Sequence, residues 1–254
     1  MDEASRDCQR YFLKDAVRLT INFSQTDQSR GIPPPPLEKE FDPGAQRIDL
    51  VPAGHWKNIK KVDLVSAIRD RESLRNFLHK ALTLEELSFL LWCTQGVRQV
   101  MNAATAPRTV PSAGARHALE TYLCVLNAEG LDPGVYRYLP LEHQLLLEFS
   151  ADDLNKQITA ATLGQSFIGR SAVVFVWTAI PQRMEWRYDL AAHKVLAIDA
   201  GHVCQNLYLA VAAVGAGTCA VAAYHQERMD RLLRVDGQDE FTVYLAPVGK
   251  IENT

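Results

Sequence analysis

Two arginines and a serine at alternate positions form the most suggestive chemical pattern in the sequence. Single residues separate Arg71, Ser73 and Arg75, and in an extended or turn segment alternate residues project to the same side. Guanidinium groups bind phosphate through two parallel hydrogen bonds, a geometry that lysine cannot reproduce. The pattern indicates a phosphate grip, and its alternative interpretation is a charged, solvated surface segment.

Two further segments contain small residues that let a backbone approach a ligand. Pro111–Gly114 is predicted as a turn, which either contacts a flat ligand or simply connects two elements. Gly215–Thr218 is glycine-rich, but a dinucleotide-binding loop needs a strand before it and a helix after it. Because the order is reversed here, we predict the end of a helix followed by a closely packed strand.

Metal chemistry and nucleophilic catalysis find little support in the sequence. The seven histidines include no HExxH motif, and His193 and His202 do not share a helix face. His225 is either a proton donor or a structural histidine. The five cysteines form no CxxC pair, and no GxSxG motif is present. We therefore expect neither a metal site nor disulfides.

The composition excludes several classes of function. The chain has 254 residues, of which 47% are hydrophobic, and its formal net charge is -3. Such a charge provides no cationic field for nucleic acid or an anionic membrane. Gly215 and Gly217 interrupt the longest apolar run, 207–223, so no transmembrane helix is expected. The acidic N-terminal residues do not resemble a secretory signal, which predicts a cytoplasmic protein.

The local patterns predict a mixture of helices and strands without a strict alternation of the two. Thr83 and Glu86 form a capping box that begins a helix. The apolar stretch 171–180 suits a buried central strand, and 190–214 is predicted as the longest helix. Further elements are expected as a short helix at 63–69, strands at 121–126, 135–138, 144–149, 218–224 and 241–248, and helices from about 151 and at 227–233. The fold class is therefore α+β.

Residues 1–60 differ from the rest of the chain. A predicted helix through Tyr11–Leu13 and Val17–Leu19 leads to the extended segment Pro33–Pro36. We expect this N-terminal arm to wrap over the main domain, residues 61–254, or over a second subunit, unless it is a floppy tail.

Five motifs in a fixed order resemble the flavin-dependent nitroreductase superfamily, and within it the SagB-type or thiazole-oxidase-like dehydrogenases. The resemblance extends from about Asp63 to Ile251. The motifs are RxSxR at 71–75, PSAGARHALETYL at 111–123, DAGHVCQNLYLA at 199–210, GAGTCAVAAYH at 215–225 and DGQDEFTVYLAPVGK at 236–250.

The resemblance implies a nitroreductase-like sandwich with a mainly antiparallel central sheet flanked by helices. It also implies a homodimer formed through the long helix, with FMN in two interface clefts. Arg71, Ser73 and Arg75 would then hold the FMN phosphate and ribityl chain, and Lys250 would add a second phosphate contact. The remaining cofactor contacts implied are Pro111, Ser112, Ala113 and Ala115 from the partner subunit, Gln165 at the ribityl chain or ring edge, and Val221, Ala222 and Ala223 against the ring.

The implied mechanism is a ping-pong hydride transfer, with NADPH or NADH as the expected donor. In peptide-modifying members, a Lys-Tyr pair before the long helix is the proposed proton relay for azoline oxidation. The matching positions here are Arg187 and Tyr188. Because arginine stays protonated, it cannot act as a general base, whereas Tyr188 can still orient or protonate a substrate. The segment Asp189–Lys194 also departs from the subfamily pattern.

Three functional hypotheses follow from the resemblance. The first is an FMN oxidoreductase that acts on a small conjugated or nitro-type electrophile. The second is an azoline-to-azole dehydrogenase of a peptide-modifying system, and the third is a flavin-binding protein without turnover. The sequence does not distinguish the electron donor or the physiological substrate.

Overall fold

A seven-stranded antiparallel sheet organises the protein, whose computed structural model describes residues 2–252. The strands lie in the order β1-β4-β3-β2-β5-β7-β6. They are β1 (Arg47–Asp49), β2 (Leu119–Val125), β3 (Gly134–Leu139), β4 (Gln144–Ser150), β5 (Val173–Ala179), β6 (Ala216–Thr218) and β7 (Phe241–Lys250). The helices are α1 (Glu3–Leu13), α2 (Leu64–Arg69), α3 (Leu84–Gln95), α4 (Leu154–Ala161), α5 (Gln182–Tyr188), α6 (Ala192–Ala210) and α7 (Gln226–Leu233). The predicted α+β class and mainly antiparallel sheet are confirmed.

Strand β5 lies near the middle of the sheet and belongs to two hydrophobic cores. All seven of its residues are buried, and it pairs with β2 on one side and β7 on the other. Since alternate residues of a strand face opposite sides, Phe175 and Trp177 enter one core and Val174 and Val176 enter the other. This explains why the sequence of β5 is apolar throughout rather than alternating.

Helices cover both faces of the sheet. The first core contains Leu87 and Leu91 from α3 together with Leu196 and Leu207 from α6. The second core contains residues of α4 and α7, among them Ile158 and Met229. The flanked sheet is the expected sandwich.

The predicted helix boundaries follow from local hydrogen bonding. The Thr83 hydroxyl accepts from the Glu86 N–H while the Glu86 carboxylate accepts from the Thr83 N–H, which confirms the capping box of α3. Asp63 caps α2 in a similar way. At the other end of the fold, α6 passes into a 3-10 turn and stops at Gly215, whose φ of 58° is left-handed.

Helix α6 is the longest helix in the described residues, as the sequence predicted. The helical stretch Gln182–Val214, of which it is part, is the one region of residues 2–252 long and apolar enough to span a membrane by length and composition. Several of its apolar residues, including Leu196, Val203 and Leu207, pack in the first core. We therefore interpret it as a core helix.

The predicted strand 218–224 is wrong. Strand β6 ends at Thr218, and beyond it only Val221 joins the sheet, through a single bridge to Leu245. The β-forming sequence does not form a strand here because this segment leaves the sheet edge after Thr218, and Ala222 and Ala223 are exposed.

The N-terminal arm lies against the main domain and contributes a strand to it. The Gln28 N–H donates to the Trp186 carbonyl, and the Trp186 indole N–H donates to the Ile32 carbonyl. Farther along, the Arg137 guanidinium donates to the carbonyls of Lys39 and Glu40. Strand β1 then pairs with β4 at the sheet edge. Helix α1, by contrast, has no buried residue.

Candidate cofactor site

The arginine-serine motif lies in an irregular segment beside the sheet edge. The Leu74 N–H donates to the Thr218 carbonyl at 2.9 Å, and the Leu78 N–H donates to the Lys250 carbonyl at 2.8 Å. Gly217 leaves the space that this segment needs, since a Cβ at that position would lie 2.8 Å from Leu74 Cβ. These contacts fix the backbone from which the motif projects.

The motif presents two positive charges to solvent. The Arg71 guanidinium lies over the Tyr208 ring at 5.3 Å and the Arg75 guanidinium over the Phe167 ring at 5.8 Å. Both arginines and Ser73 are exposed, and neither guanidinium forms an ion pair with any carboxylate in residues 2–252. Cationic side chains held on aromatic rings without a carboxylate partner fit an incoming phosphate.

Tyr208 joins this motif to the segment that follows β6. Its hydroxyl lies 2.8 Å from the Ser73 hydroxyl and accepts from the Ala220 N–H at 2.8 Å. Tyr208 is not among the site residues predicted from the sequence, although it belongs to the DAGHVCQNLYLA motif. One side chain of α6 therefore holds two predicted cofactor segments side by side.

Gln165 also contacts the segment that follows β6. Its side-chain N–H donates to the Ala223 carbonyl at 2.9 Å and to the Thr162 carbonyl at 3.0 Å. Phe167, two residues later, carries the Arg75 contact. The structure thus brings Gln165 and Ala223 into direct contact and places Arg75 against a neighbour of Gln165.

The segment after β6 contains backbone N–H groups that have no acceptor in the described part of the chain. The Val221 N–H donates to the Leu245 carbonyl at 2.8 Å and is therefore already used. Ala222 and Ala223 are exposed, and among residues 2–252 no acceptor is found for either N–H. If a ligand accepts from this segment, Ala222 and Ala223 are the residues able to donate, rather than Val221.

Lys250 occupies a different environment from the arginines. Its side chain is largely buried, forms an ion pair with Glu86, and donates to the Val214 carbonyl at 2.6 Å. Its backbone contacts the arginine segment at Leu78, but its ammonium group is neutralised by Glu86.

The predicted partner-facing residues form a second cluster, which we call the loop cluster. The Ser112 hydroxyl accepts from the His117 N–H at 3.0 Å. Gly114 has a φ of 59°, and a Cβ there would lie 2.7 Å from the Tyr188 hydroxyl and 2.9 Å from Arg187 Cδ. Ala113 and Ala115 belong to the same turn, while Pro111 is exposed. The loop cluster therefore comprises 111–115, Arg187 and Tyr188.

A buried carboxylate that the sequence analysis missed supports the loop cluster. Asp199 of α6 lies next to the Ser112 side chain and the Ala113 backbone, and burial raises its pKa above the ordinary value for Asp. Its Oδ2 atom is buried and has no hydrogen-bond partner among the described residues. Ala115 and His117 adopt left-handed φ values of 52° and 44°. Such conformations persist where the surroundings enforce them, so the loop is held in one shape.

Within one chain the two groups of predicted residues are separate. Arg71, Ser73, Arg75, Gln165 and Ala220–Ala223 form what we call the arginine cluster. No hydrogen bond or ion pair in the described part of the chain connects it to the loop cluster. Residues 2–252 contain no group of three or more His, Cys, Asp or Glu side chains that could hold a metal ion.

Comparison with known proteins identifies the family. The sequence profile of the Nitroreductase family matches residues 68–250. The chain belongs to the nitroreductase family. A nitroreductase relative from Methanocaldococcus jannaschii is 31% identical over 193 residues, which cover 76% of this chain and 93% of the relative. The family, and an oxidoreductase activity with it, thus rest on a match that spans both predicted clusters.

One further relative and two solved structures are also similar to this chain. The trifolitoxin operon protein TfxC of Rhizobium leguminosarum is 24% identical over 242 residues, 90% of this chain and 66% of TfxC. Among solved structures, a Ralstonia eutropha nitroreductase homologue gives a TM-score of 0.67 at 24% identity, covering 87% of this chain and all of the homologue. A chain of the Escherichia coli microcin synthetase McbBCD complex gives 0.61 at 19% identity, covering 85% and 79%. These structural matches establish the fold.

Proposed function

We propose that this protein is an FMN-dependent oxidoreductase that transfers a hydride to or from a small conjugated substrate in a ping-pong cycle. The observation that carries the proposal is the arginine cluster. Two exposed guanidiniums without a carboxylate partner and a serine lie there next to a segment of small residues, two of whose N–H groups have no acceptor among the described residues. Nitroreductase-family members generally use flavin with nicotinamide donors, which supports this choice of cofactor.

The residues of the arginine cluster would contact FMN in order from its phosphate through its ribityl chain to its ring. Arg71 and Arg75 would bind the phosphate, and Ser73 would contact the phosphate or the ribityl chain. Gln165 would reach the ribityl chain or the ring edge. Ala222 and Ala223, whose N–H groups are exposed, would lie against the ring beside Val221. When bound, the flavin supplies the hydride-transfer chemistry.

A second copy of the chain would complete the site. The loop cluster is rigid and separate from the arginine cluster of its own chain, as expected if Pro111, Ser112, Ala113 and Ala115 serve the site of the partner subunit. Because the Ser112 hydroxyl accepts from the His117 N–H within the same loop, its role would be to shape this loop. We accordingly propose a homodimer, a nicotinamide donor (NADPH or NADH) and a cytoplasmic location; nucleic acid and membranes remain outside the proposed partners.

The first test is the visible spectrum of the purified protein under anaerobic conditions. We expect a bound-flavin spectrum that bleaches when NADPH or NADH is added. Flavin that stays oxidised would favour a dehydrogenase or a flavin-binding protein without turnover. A colourless protein that FMN does not reconstitute would refute the cofactor assignment.

Paired arginine variants test which residues bind the phosphate. Each charge-assisted hydrogen bond contributes about 1.5–3 kcal/mol, so Arg71→Ala combined with Arg75→Ala should weaken FMN binding by about 100-fold or more. Arg69→Ala is the matched control, because Arg69 is an exposed arginine nearby that pairs with Asp70. Equal flavin occupancy in the double variant and the control would show that the arginine cluster does not hold the phosphate.

Azoline oxidation in a peptide-modifying system is the second candidate function. The similarity to TfxC over 90% of this chain favours it. Tyr188 would orient or protonate the substrate, with Arg187 as a fixed positive charge whose guanidinium lies 5.6 Å from the Tyr188 ring centroid. An azoline-containing peptide that loses two hydrogens by mass when incubated with the flavin-loaded protein, but not with Tyr188→Phe, would support this function over the first.

A further inference from the structure

An apolar pocket of about 690 Å³ opens beside the exposed segment after β6. Ala222 lines it, as do Ala197 and Gly201 from α6 and Tyr244 from β7. Phe12 of α1 also lines it. The pocket therefore lies between the proposed ring-contacting segment, the long helix and the N-terminal arm.

Three polar side chains that line this pocket have partners within the protein, whereas the buried Thr242 hydroxyl has none among the described residues. His193 pairs with Glu185 at 2.8 Å, the Tyr224 hydroxyl donates to the Thr242 carbonyl at 2.9 Å, and Gln226 donates to Asp230 at 2.9 Å. No lysine or arginine of the described residues lines the pocket. An anionic ligand group placed in this pocket would have no lysine or arginine to pair with. A peptide ligand would leave most of its backbone N–H and C=O groups without hydrogen bonds, at a cost in free energy.

The outer wall of the pocket comes from outside the family match. Phe12 precedes residues 68–250, whereas the other lining residues lie at positions 179–244. Helix α1 has no buried residue, and the first backbone bond from the arm to α5 comes later in the chain, at Gln28. An element with so few buried contacts opens at low free-energy cost. This wall therefore lies outside the residues matched by the family profile and is easily displaced.

We propose that Phe12 is a specificity-determining residue on a displaceable wall, and that the pocket receives an uncharged, apolar part of the substrate next to Ala222. The proposal rests on the proposed function, because it takes the segment Val221–Ala223 as the flavin contact. It assigns to the N-terminal arm a role in substrate selection.

Binding of a flat, non-reducible probe tests the proposal without turnover. We would titrate the flavin-loaded protein with coumarin and, separately, with coumarin-3-carboxylate, and measure each Kd by calorimetry. Coumarin should bind at least tenfold more tightly than its carboxylate. Phe12→Ala should weaken coumarin about fivefold, whereas Tyr11→Ala, an equally exposed neighbour on α1 that does not line the pocket, should leave the Kd unchanged.

A second variant fills the pocket from the opposite wall. A Cβ at Gly201 meets no atom within 4 Å, and replacing a helical glycine favours the helix, so Gly201→Leu should fold. We expect it to weaken coumarin at least tenfold, with Gly201→Ala close to the unmodified protein. Because Gly201 is an exposed residue of α6, the helix expected to form the dimer, dimer content is measured by light scattering, and Kd values are compared between proteins of equal dimer content.

The outcomes separate this proposal from the proposed function. Equal coumarin affinity in the Phe12→Ala and Tyr11→Ala proteins would overturn the role of Phe12, and an unchanged Kd in Gly201→Leu would overturn the pocket. Tighter binding of the carboxylate would overturn the substrate chemistry. If the protein binds no FMN but the coumarin pattern holds in the purified protein, the proposed function fails and the pocket assignment stands.

Discussion

The ion pair between Lys250 and Glu86 leads to two predictions. Removal of either side chain should lower stability, but the two changes should affect FMN affinity differently. The two side chains are 11% and 15% exposed, so each would be left largely buried without its partner. Glu86 would retain the Thr83 N–H, and Lys250 would retain the Val214 carbonyl. Breaking a buried pair costs about 3–5 kcal/mol, and these remaining bonds reduce the expected cost of either change to about 2 kcal/mol.

The variants Lys250→Met and Glu86→Gln should therefore each lower the free energy of unfolding by about 2 kcal/mol. The glutamine amide oxygen can still accept from Thr83, so the cap of α3 is kept. The double variant should lose about 2 kcal/mol rather than about 4, which corresponds to a coupling energy of about 2 kcal/mol. Urea unfolding followed by circular dichroism measures all three values.

Flavin affinity then separates a structural role of Lys250 from a binding role. If its ammonium also contacts the FMN phosphate, Lys250→Met should weaken FMN binding about tenfold or more. Glu86→Gln removes the carboxylate that neutralises this ammonium, so FMN binding should stay equal or become tighter. Titration of the apoprotein by quenching of flavin fluorescence measures both, with Lys156→Met on α4 as an exposed lysine control.

The reasoning is refuted if Glu86→Gln weakens FMN binding as much as Lys250→Met does. Both changes would then act through the shared fold around α3 and β7, and Lys250 would have no direct part in phosphate binding. Additive losses of stability in the double variant would show separately that the two groups do not interact.

Three further predictions concern pH dependence, the loop cluster and a helix cap. Burial and the neighbouring Glu142 raise the pKa of Glu38 to about 8. Between about pH 4.5 and 8 the folded state therefore binds a proton that the unfolded state releases. The free energy of unfolding should fall as pH rises through this range, by up to about 1.4 kcal/mol per pH unit. Melting temperatures across this range should decline less in Glu38→Gln, and an unchanged slope would contradict the assignment. Asp199→Asn keeps the size of the side chain and a polar group next to Ser112, so it should cost less than about 1 kcal/mol in urea unfolding. Asp199→Ala removes both and should cost about 2 kcal/mol or more; equal losses would argue against a polar contact between Asp199 and the loop. Thr83→Ala should cost about 1 kcal/mol by the same assay, and no loss would mean that the cap is not formed in solution.

The sequence predicted strands well where a continuous apolar run required burial on both faces of the sheet. The run 171–180 is apolar except for Ser171 and Thr178 and is rich in valine, which favours a buried strand at this length. The strand predicted at 218–224 failed for the opposite reason. Its residues are small and β-forming, but continuous pairing with β7 ends where Thr218 faces Val248, and the remaining contact is the bridge from Val221 to Leu245. Propensity does not reveal which partner a strand will find.

The sequence predicted site residues with distinctive side chains and missed those that act through tertiary contacts. Arg71 and Arg75 are conspicuous because alternating arginines suggest an anion. Tyr208, Phe167 and Asp199 lie within helices or turns whose patterns also suit an ordinary core. Their roles depend on neighbours more than 80 residues away in sequence, such as Ser73 for Tyr208 and Ser112 for Asp199, and no local pattern contains that information.

The glycines of two motifs are explained by packing rather than by direct contact with a phosphate. A Cβ at Gly217 would lie 2.8 Å from Leu74, and a Cβ at Gly249 would lie 2.7 Å from the Phe77 ring. Leu74 and Phe77 flank Arg75, so a side chain at either glycine would push the whole arginine segment away from the sheet edge. The same displacement would break the Leu74 bond to Thr218 and the Leu78 bond to Lys250. The glycines of β6 and β7 therefore set the position of the two guanidiniums. In this way the motif at 236–250, which contains Gly249, helps to position the arginines of the motif at 71–75.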